Sequence, residues 1–587
     1  MAGAARGASR RLRRGLALVP LLLAALAGVA LGLGPSKPAP WARALGSMVK
    51  LRAGERLPEG QQSIELTLAR GECEGAQLAA EAPVSNLVAT AAPLRAQEGG
   101  SLEVRLYREA FIEVSEPSNF EGRAGRWPDP LIPAVDLYSG EGRSALPASS
   151  AGPEPVVLYL EVCAPRASAP GVYRGLVTAK AKDRPPVRLP MQVRVRSFAL
   201  PATSSLETSF GFSGLSAVRG HGLGDEAVGR LTRLYATAAL HHRLSLHGMS
   251  MEPPRVVSRE PLELDFGDYD AEVGPFLDGT VLENGARFTS IDVRLHPKAR
   301  SEDELIAYLR AYAQHLRQRG WLSRAFIYAK DEPRPEELPL VRRIAEGAHQ
   351  ADSGLRVLVT TSLNPLIEGV VDILAPNINC LFPRPGDAYC QGVVPLSRYQ
   401  AARHKGARLW WYQSCGSHGC GPVPALDLQA RTYFSGWPSY MVDHPPALNR
   451  AMGVLAFRHG VEGELYFNTV EAWNPGPQGE PARPWESVWR FHGNGDGTLF
   501  YPGTPERIGG KGHVPVESLR LKHLRDGLED YEYLKLARDL GLGVQAGQAA
   551  ASLASKPYLI ERDPDRWRQV RERLADQIEQ AAARTRE

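Results

Sequence analysis

Between Leu206 and about Phe500 the chain alternates short apolar runs of strand length with longer stretches of helical spacing, and this alternation limits the folds open to it. The candidate strands are Leu206 to Phe212, Leu244 to Met249, Phe288 to Leu295, Ala325 to Ala329, Arg356 to Thr361, Val371 to Ala375, Arg408 to Tyr412 and Glu464 to Phe467. Asp225 to His242, Glu302 to Arg319 and Pro335 to Gln350 read as helices between them. About eight strands with intervening helices in roughly 290 residues predict a (β/α)8 TIM-type barrel over 204–500. No glycine-rich phosphate motif follows the first run, which argues against an open dinucleotide-binding sheet.

In such a barrel the chemistry gathers at the C-terminal ends of the strands. The fourth run ends in Lys330-Asp331-Glu332-Pro333, so two carboxylates arrive where the strand leaves the core. Pro333 disfavours helical backbone at Glu332, which places both acids on a strand-to-loop junction. The same string also fits a helix start, with Asp331 as cap and Pro333 in the first turn. The barrel pattern around it favours the strand end, and Asp331 and Glu332 are the candidate catalytic residues. Trp411, Tyr412 and Gln413 end another run, and Asn468, Glu471 and Trp473 follow the last. Aromatic faces stack on the C–H face of a sugar ring and amides satisfy its hydroxyls, so Trp411, Tyr412, Asn468 and Trp473 are candidate substrate-binding residues. Any one of Trp410, Trp411 and Tyr412 equally suits a barrel-filling role.

Other polar clusters read as structural. His241, His242 and His247 flank a helix-to-strand junction, and Asp265 and Asp268 suit turn and capping positions without the rest of a calcium loop. The string Cys415-Gly416-Ser417-His418-Gly419-Cys420 offers a metal only three ligands in a very short loop. No metal and no cofactor are expected.

At 587 residues the chain exceeds one core, and the flanks differ from the barrel region. Segment 41–203 alternates apolar and polar residues, as in Ile64-Glu65-Leu66-Thr67-Leu68 and Val193-Arg194-Val195-Arg196, with turn signals between runs, and predicts a β-sandwich. Segment 501–587 is charged and predicts a mostly helical region, in which Arg520, Arg525, Glu529 and Asp530 brace a helix by ion pairs. Segment 1–40 has the order of an export signal: an arginine-rich start, an apolar stretch from Leu16, the small-residue site Ala25-Leu26-Ala27, then a Pro-rich connector. Uncleaved, its apolar part is long enough to remain as a membrane anchor. The expected location is therefore periplasmic, extracellular or membrane-anchored. In such a compartment Cys380 with Cys390 and Cys415 with Cys420 are the economical disulfides. Arg6, Arg10, Arg11, Arg13 and Arg14 supply five positives, and without them the formal charge of +4 becomes −1. A chain that near neutrality lacks the concentrated basic surface that a nucleic-acid partner requires.

Several motifs resemble glycoside hydrolase family 123. The sequence Asn494-Gly495-Asp496-Gly497, then Tyr501-Pro502-Gly503 and the Arg520 to Leu534 stretch, resembles the C-terminal domain associated with that family. The acid pair resembles its catalytic motif. Weaker likenesses are Ala69-Arg70-Gly71-Glu72-Cys73-Glu74, Trp127-Pro128-Asp129-Pro130-Leu131 and Pro170-Gly171-Val172-Tyr173-Arg174-Gly175. The insert around Cys415 to Pro424 and the loop after Trp473 depart from the family pattern. The resemblance implies a retaining β-N-acetylhexosaminidase, β-N-acetylgalactosaminidase-like, acting on a 2-acetamido sugar glycan whose own acetamido oxygen is the nucleophile. Glu332 is then the proton donor and Asp331 the group that orients the acetamido N–H. A glycosidase of other sugar preference and a noncatalytic glycan-binding or envelope scaffold protein are the alternatives.

Overall fold

The computed structural model describes residues 40–249, 253–296, 299–382, 384, 390, 392–415, 433–476, 479–490 and 493–584. Residues 42–587 group into one compact unit apart from 1–41, so the export-signal reading of 1–40 falls almost wholly outside the described residues. Among the described residues no helix is long and apolar enough to cross a membrane.

All eight expected barrel strands are present. We number them β1 (Glu207–Gly211), β2 (Leu246–His247), β3 (Ile291–Asp292), β4 (Ala325–Lys330), β5 (Arg356–Val359), β6 (Ile373–Leu374), β7 (Arg408–Tyr412) and β8 (Gly463–Tyr466). They form one parallel sheet in the order β2-β1-β8-β7-β6-β5-β4-β3, a nearly closed barrel whose seam lies between β2 and β3. These two strands are only two residues long, and side chains take the place of a ladder. Asp292 Oδ1 accepts from the Gly248 N–H at 2.9 Å, and Ser245 Oγ accepts from the Thr289 N–H at 2.7 Å. The expected helices form at Val228–His241, Glu302–Gln318 and Leu338–Ala351.

Strand alternation sorts the side chains into a lumen and an outer layer. Phe326, Leu358, Ile373, Ala375, Trp410 and Leu465 fill the lumen, with Tyr328 and Tyr412 packed on that cluster. Gly463 makes room for this filling, because a Cβ there would lie 2.4 Å from the Trp410 ring.

The sandwich also forms, but two of its strands come from the far end of the chain. One sheet runs through Ala42–Gly46, Glu72–Ala80, Val156–Ala164, Val104–Val114 and Gly125–Pro133, and continues with Val514–Ser518 and Phe500–Gly503. The other contains Ile64–Arg70, Arg184–Ala199, Gly171–Ala181, Val84–Ala91 and Ala148–Ser150. The expected helical C-terminal region is thus partly strand.

From Val514–Ser518 the chain enters the helix Leu519–Asp539, capped by Ser518. From Arg520 to Glu532 its charged residues are buried along with its apolar ones, and several pair with other elements. Arg520 meets Asp129 at 2.7 Å, Lys522 meets Glu161 at 2.8 Å, and Arg450 meets Asp530 at 2.6 Å. The helix approaches Met452–His459 closely, since a Cβ on Gly453 would lie 2.0 Å from the Gly527 carbonyl oxygen. Cys380 bonds Cys390 as expected, and a further disulfide joins Cys73 to Cys163 on adjacent antiparallel strands. The pairing of Cys415 with Cys420 lies outside the described residues, as do 416–432.

Candidate active site

The acid pair lies at the end of β4 and not in a helix. The next helical turn starts at Pro335 with Arg334 as its cap, so Asp331 and Glu332 precede it on the strand-to-loop junction. Glu332 has φ +38°, in the left-handed region that a β-carbon disfavours by roughly 1–2 kcal/mol. Pro333 helps to hold it there by disfavouring the right-handed alternative. Lys330 is committed to Glu337 at 3.2 Å, so the nearest lysine leaves the pair alone.

Each carboxylate is held through one oxygen. Asp331 Oδ1 accepts from the Tyr328 hydroxyl at 2.6 Å and from Thr360 Oγ1 at 3.1 Å, while Thr360 Oγ1 accepts from the Glu332 N–H at 2.8 Å. Glu332 Oε1 accepts from the Tyr412 hydroxyl. Asp331 Oδ2 and Glu332 Oε2 make no hydrogen bond to the described residues. Burial, and then the neighbouring carboxylates, push the Tyr328 and Tyr412 phenols above their ordinary range, which keeps both as donors.

Tyr328 and Thr360 are part of this arrangement although the sequence reading did not single them out. Tyr328 is on the lumen face two residues beyond Phe326, and β5 runs beside β4 with Tyr328 opposite Leu358, which carries Thr360 to the same height. His247, grouped with the structural histidines from sequence, ends β2 beside the lumen. Its ring stands edge-on to Tyr328 at 6.3 Å and its Nδ1 is 3.0 Å from Ser209 Oγ. Burial holds its imidazole below the ordinary histidine range.

The four substrate-binding candidates separate. Tyr412 joins the acid pair. Trp411, its neighbour on β7, faces the opposite way, is fully buried in the outer layer, and lies against His459. Trp473 is also fully buried, edge-on to His221 and Tyr235, because the short turn Glu471–Trp473 folds its indole back onto the helices. These two rings belong to packing and not to a cleft. Asn468 stands past the end of β8, where its Oδ1 accepts from the Thr469 and Val470 N–H groups and its Nδ2 donates to Glu471.

The family-like motifs of the C-terminal region are braces. Asp496 Oδ2 accepts from the Cys415 N–H at 2.8 Å, steadying the chain just past Tyr412, and its Oδ1 accepts from the Tyr466 hydroxyl at 3.0 Å. Arg520 donates to Asp129, to the Tyr440 carbonyl at 2.7 Å and to the Gly495 carbonyl at 3.0 Å, while Tyr501 donates to Asp129 at 2.7 Å. Three C-terminal motifs and the distant Trp127 to Leu131 motif therefore meet at one buried ion pair.

A parallel barrel with paired acids and phenol donors at its C-terminal mouth is the architecture of a barrel enzyme equipped for acid–base chemistry. Residues 281–537, from before β3 through most of the helix Leu519–Asp539, match the family described as "Glycoside hydrolase 123, catalytic domain". Over these residues the chain carries a family 123 glycoside hydrolase catalytic domain. No curated protein matches it in sequence. A family 123 glycoside hydrolase from Clostridium perfringens, whose structure was analysed for glycolipid glycan hydrolysis, is similar over 93% of this chain and 98% of its own, with TM-score 0.63 and 14% identity. At that identity the likeness shows a shared fold. A Bacteroides ovatus GH5 xyloglucanase (TM-score 0.27, 10% identity, 80% of this chain and 99% of its own) is too distant to carry an argument. So is a family 39 glycoside hydrolase from Bacteroides cellulosilyticus (TM-score 0.29, 10% identity, 74% and 79%).

Proposed function

We propose that the protein is an exported, retaining β-N-acetylhexosaminidase, β-N-acetylgalactosaminidase-like, that uses the acetamido group of its substrate as nucleophile. The observation that carries this reading is the pair of adjacent carboxylates, each anchored by a phenol through one oxygen with the other free. Asp331 Oδ2 accepts the acetamido N–H, and the acetamido oxygen attacks C1. Glu332 gives its proton to the glycosidic oxygen as the C1–O bond breaks and the aglycone leaves. Asp331 offsets the positive charge of the resulting oxazolinium. Glu332 then takes a proton from water, whose oxygen attacks C1 and reopens the ring with net retention. A conventional double displacement needs an uncommitted carboxylate facing the first. Asp292 is instead engaged by Gly248 and by Arg294 at 3.1 Å, and Glu471 by Asn468 and Asn474.

Two disulfides suit an oxidising compartment and support export, together with the signal-like order of 1–40. The substrate class is a glycan ending in a 2-acetamido sugar, in keeping with the glycolipid glycans named for the Clostridium perfringens relative.

A panel of 4-nitrophenyl β-glycosides with and without the 2-acetamido group tests the reading, with the first-formed anomer followed by proton NMR. Hydrolysis confined to the 2-acetamido sugars and release of the β anomer are expected. Equal turnover of 2-hydroxy sugars would favour a glycosidase of other sugar preference, early α anomer would overturn retention, and no hydrolysis of any member would favour a glycan-binding role.

A further inference from the structure

His247 differs from the enclosed histidines His221 and His444 in its bonding, and from His242 and His523, which are also bonded through one ring nitrogen, in standing against Tyr328 at the barrel mouth. His221 has both ring nitrogens occupied, by Tyr235 at 2.7 Å and His513 at 3.1 Å. His444 likewise has Ser439 at 2.9 Å and Asn119 at 3.0 Å. His247 is bonded on one side alone: Nδ1 meets Ser209 Oγ, and Nε2 makes no hydrogen bond to the described residues. Its direction follows from register. Ser209 pairs with the lumen residue Leu465, Gly211 lies two residues further along the same face, and His247 pairs with Gly211. The edge-on contact with Tyr328, which donates to Asp331, places the ring at the same mouth as the acid pair. Asp292, the acid on the neighbouring strand, is already engaged by Gly248 and Arg294.

We propose that His247 is a substrate-positioning residue whose Nε2 hydrogen-bonds a ring hydroxyl of the sugar that Asp331 and Glu332 act on. Ser209 fixes the rotation of the imidazole through Nδ1, and a sugar hydroxyl, being donor and acceptor at once, pairs with Nε2 in either tautomer. A site built to bond a hydroxyl discriminates strongly against a sugar that lacks it, because the buried partner is then left unpaired. The inference rests on the proposed function for the placement of the sugar and adds to it the group that reads the ring.

The test crosses protein and substrate changes. The parent substrate is whichever 4-nitrophenyl β-glycoside the wild type cleaves fastest, and its 3-, 4- and 6-deoxy analogues are compared in wild type, His247→Ala and His247→Asn. The wild type should lose at least about 10-fold in kcat/KM on one analogue. Both variants should show a similar loss on the parent and treat that analogue and the parent alike within about twofold. Ser209→Ala, which keeps the imidazole, should show an intermediate penalty. Deoxy penalties that stay the same in the variants as in the wild type would overturn the proposal, since a packing role lowers all rates together. Because the parent is chosen by activity, this outcome is separable from failure of the acetamido reading, which shows as equal cleavage of 2-hydroxy sugars.

Discussion

Tyr412 donates its phenol to Oε1 of Glu332 across 80 residues of sequence and from β7 to β4 with two strands between. The bond fixes the rotation of the carboxyl while Oε2 stays available for the proton that the proposed mechanism puts on it. Tyr412→Phe removes this donor and little else. A hydrogen bond to a charged group contributes about 1.5–3 kcal/mol, so kcat/KM should fall roughly 10- to 100-fold. Thermal unfolding should hardly move, and an undiminished rate would show that Tyr412 does not orient the acid.

The two acids should fail differently. Glu332→Gln removes the proposed proton donor, so substrates with poor leaving groups should suffer most while activated aryl glycosides keep more of the first step. Asp331→Asn removes the proposed anionic partner of the oxazolinium whatever the leaving group, with a cost of about 3–4 kcal/mol by analogy with other transition-state contacts. Plots of log rate against leaving-group pKa should therefore differ in slope between the variants. Parallel plots would contradict the division of roles.

How much of this was legible in the sequence depended on whether the signal was local. The eight strands and the acid pair follow from apolar runs and from charge arriving at a strand end, and both are visible in short windows. Trp411 and Tyr412 show the limit: neighbours on one strand face opposite ways, so both cannot enter one cleft. Which of them faces the lumen depends on the register of β7 against β6 and β8, which no short window contains. Likewise Thr360 meets Asp331 and Tyr328 through pairing of β4 with β5, and Asp129 meets Arg520 across 391 residues. The two strands at 500–503 and 514–518 join a sheet assembled at the other end of the chain, where no periodicity could show their partner.

The Asp129–Arg520 pair should act on stability. Both side chains are fully buried, and removing one leaves the other charge uncompensated. Arg520→Met is expected to lower unfolding free energy by about 3–5 kcal/mol, read from urea midpoints at constant m-value. A change under about 1 kcal/mol would show that the four motifs do not depend on this contact.

Glu464 should give stability a pH dependence. It is buried on β8 with the Tyr440 hydroxyl as partner, and burial pushes its carboxyl from 4.5 up to about 8. Between these values the folded state retains a proton that the unfolded chain has released. Its contribution is therefore fully present below about pH 4.5 and lost as pH rises toward 8, at up to about 1.4 kcal/mol per pH unit. Glu464→Gln keeps an acceptor for Tyr440 without a titrating proton. The stability of the wild type relative to this variant should fall steadily from pH 5 to pH 8, and curves that stay parallel would place the carboxyl outside this window.

The proposed nucleophile is the acetamido group of the substrate, directed by Asp331. Fluorination of that acetyl group drains electron density from its oxygen without changing the leaving group. Wild-type kcat/KM should be measured on 4-nitrophenyl 2-acetamido-2-deoxy-β-D-galactoside and its mono-, di- and trifluoroacetyl analogues. A steep, monotonic fall with each fluorine added is expected. A flat series would mean that the nucleophile comes from elsewhere and would contradict the account.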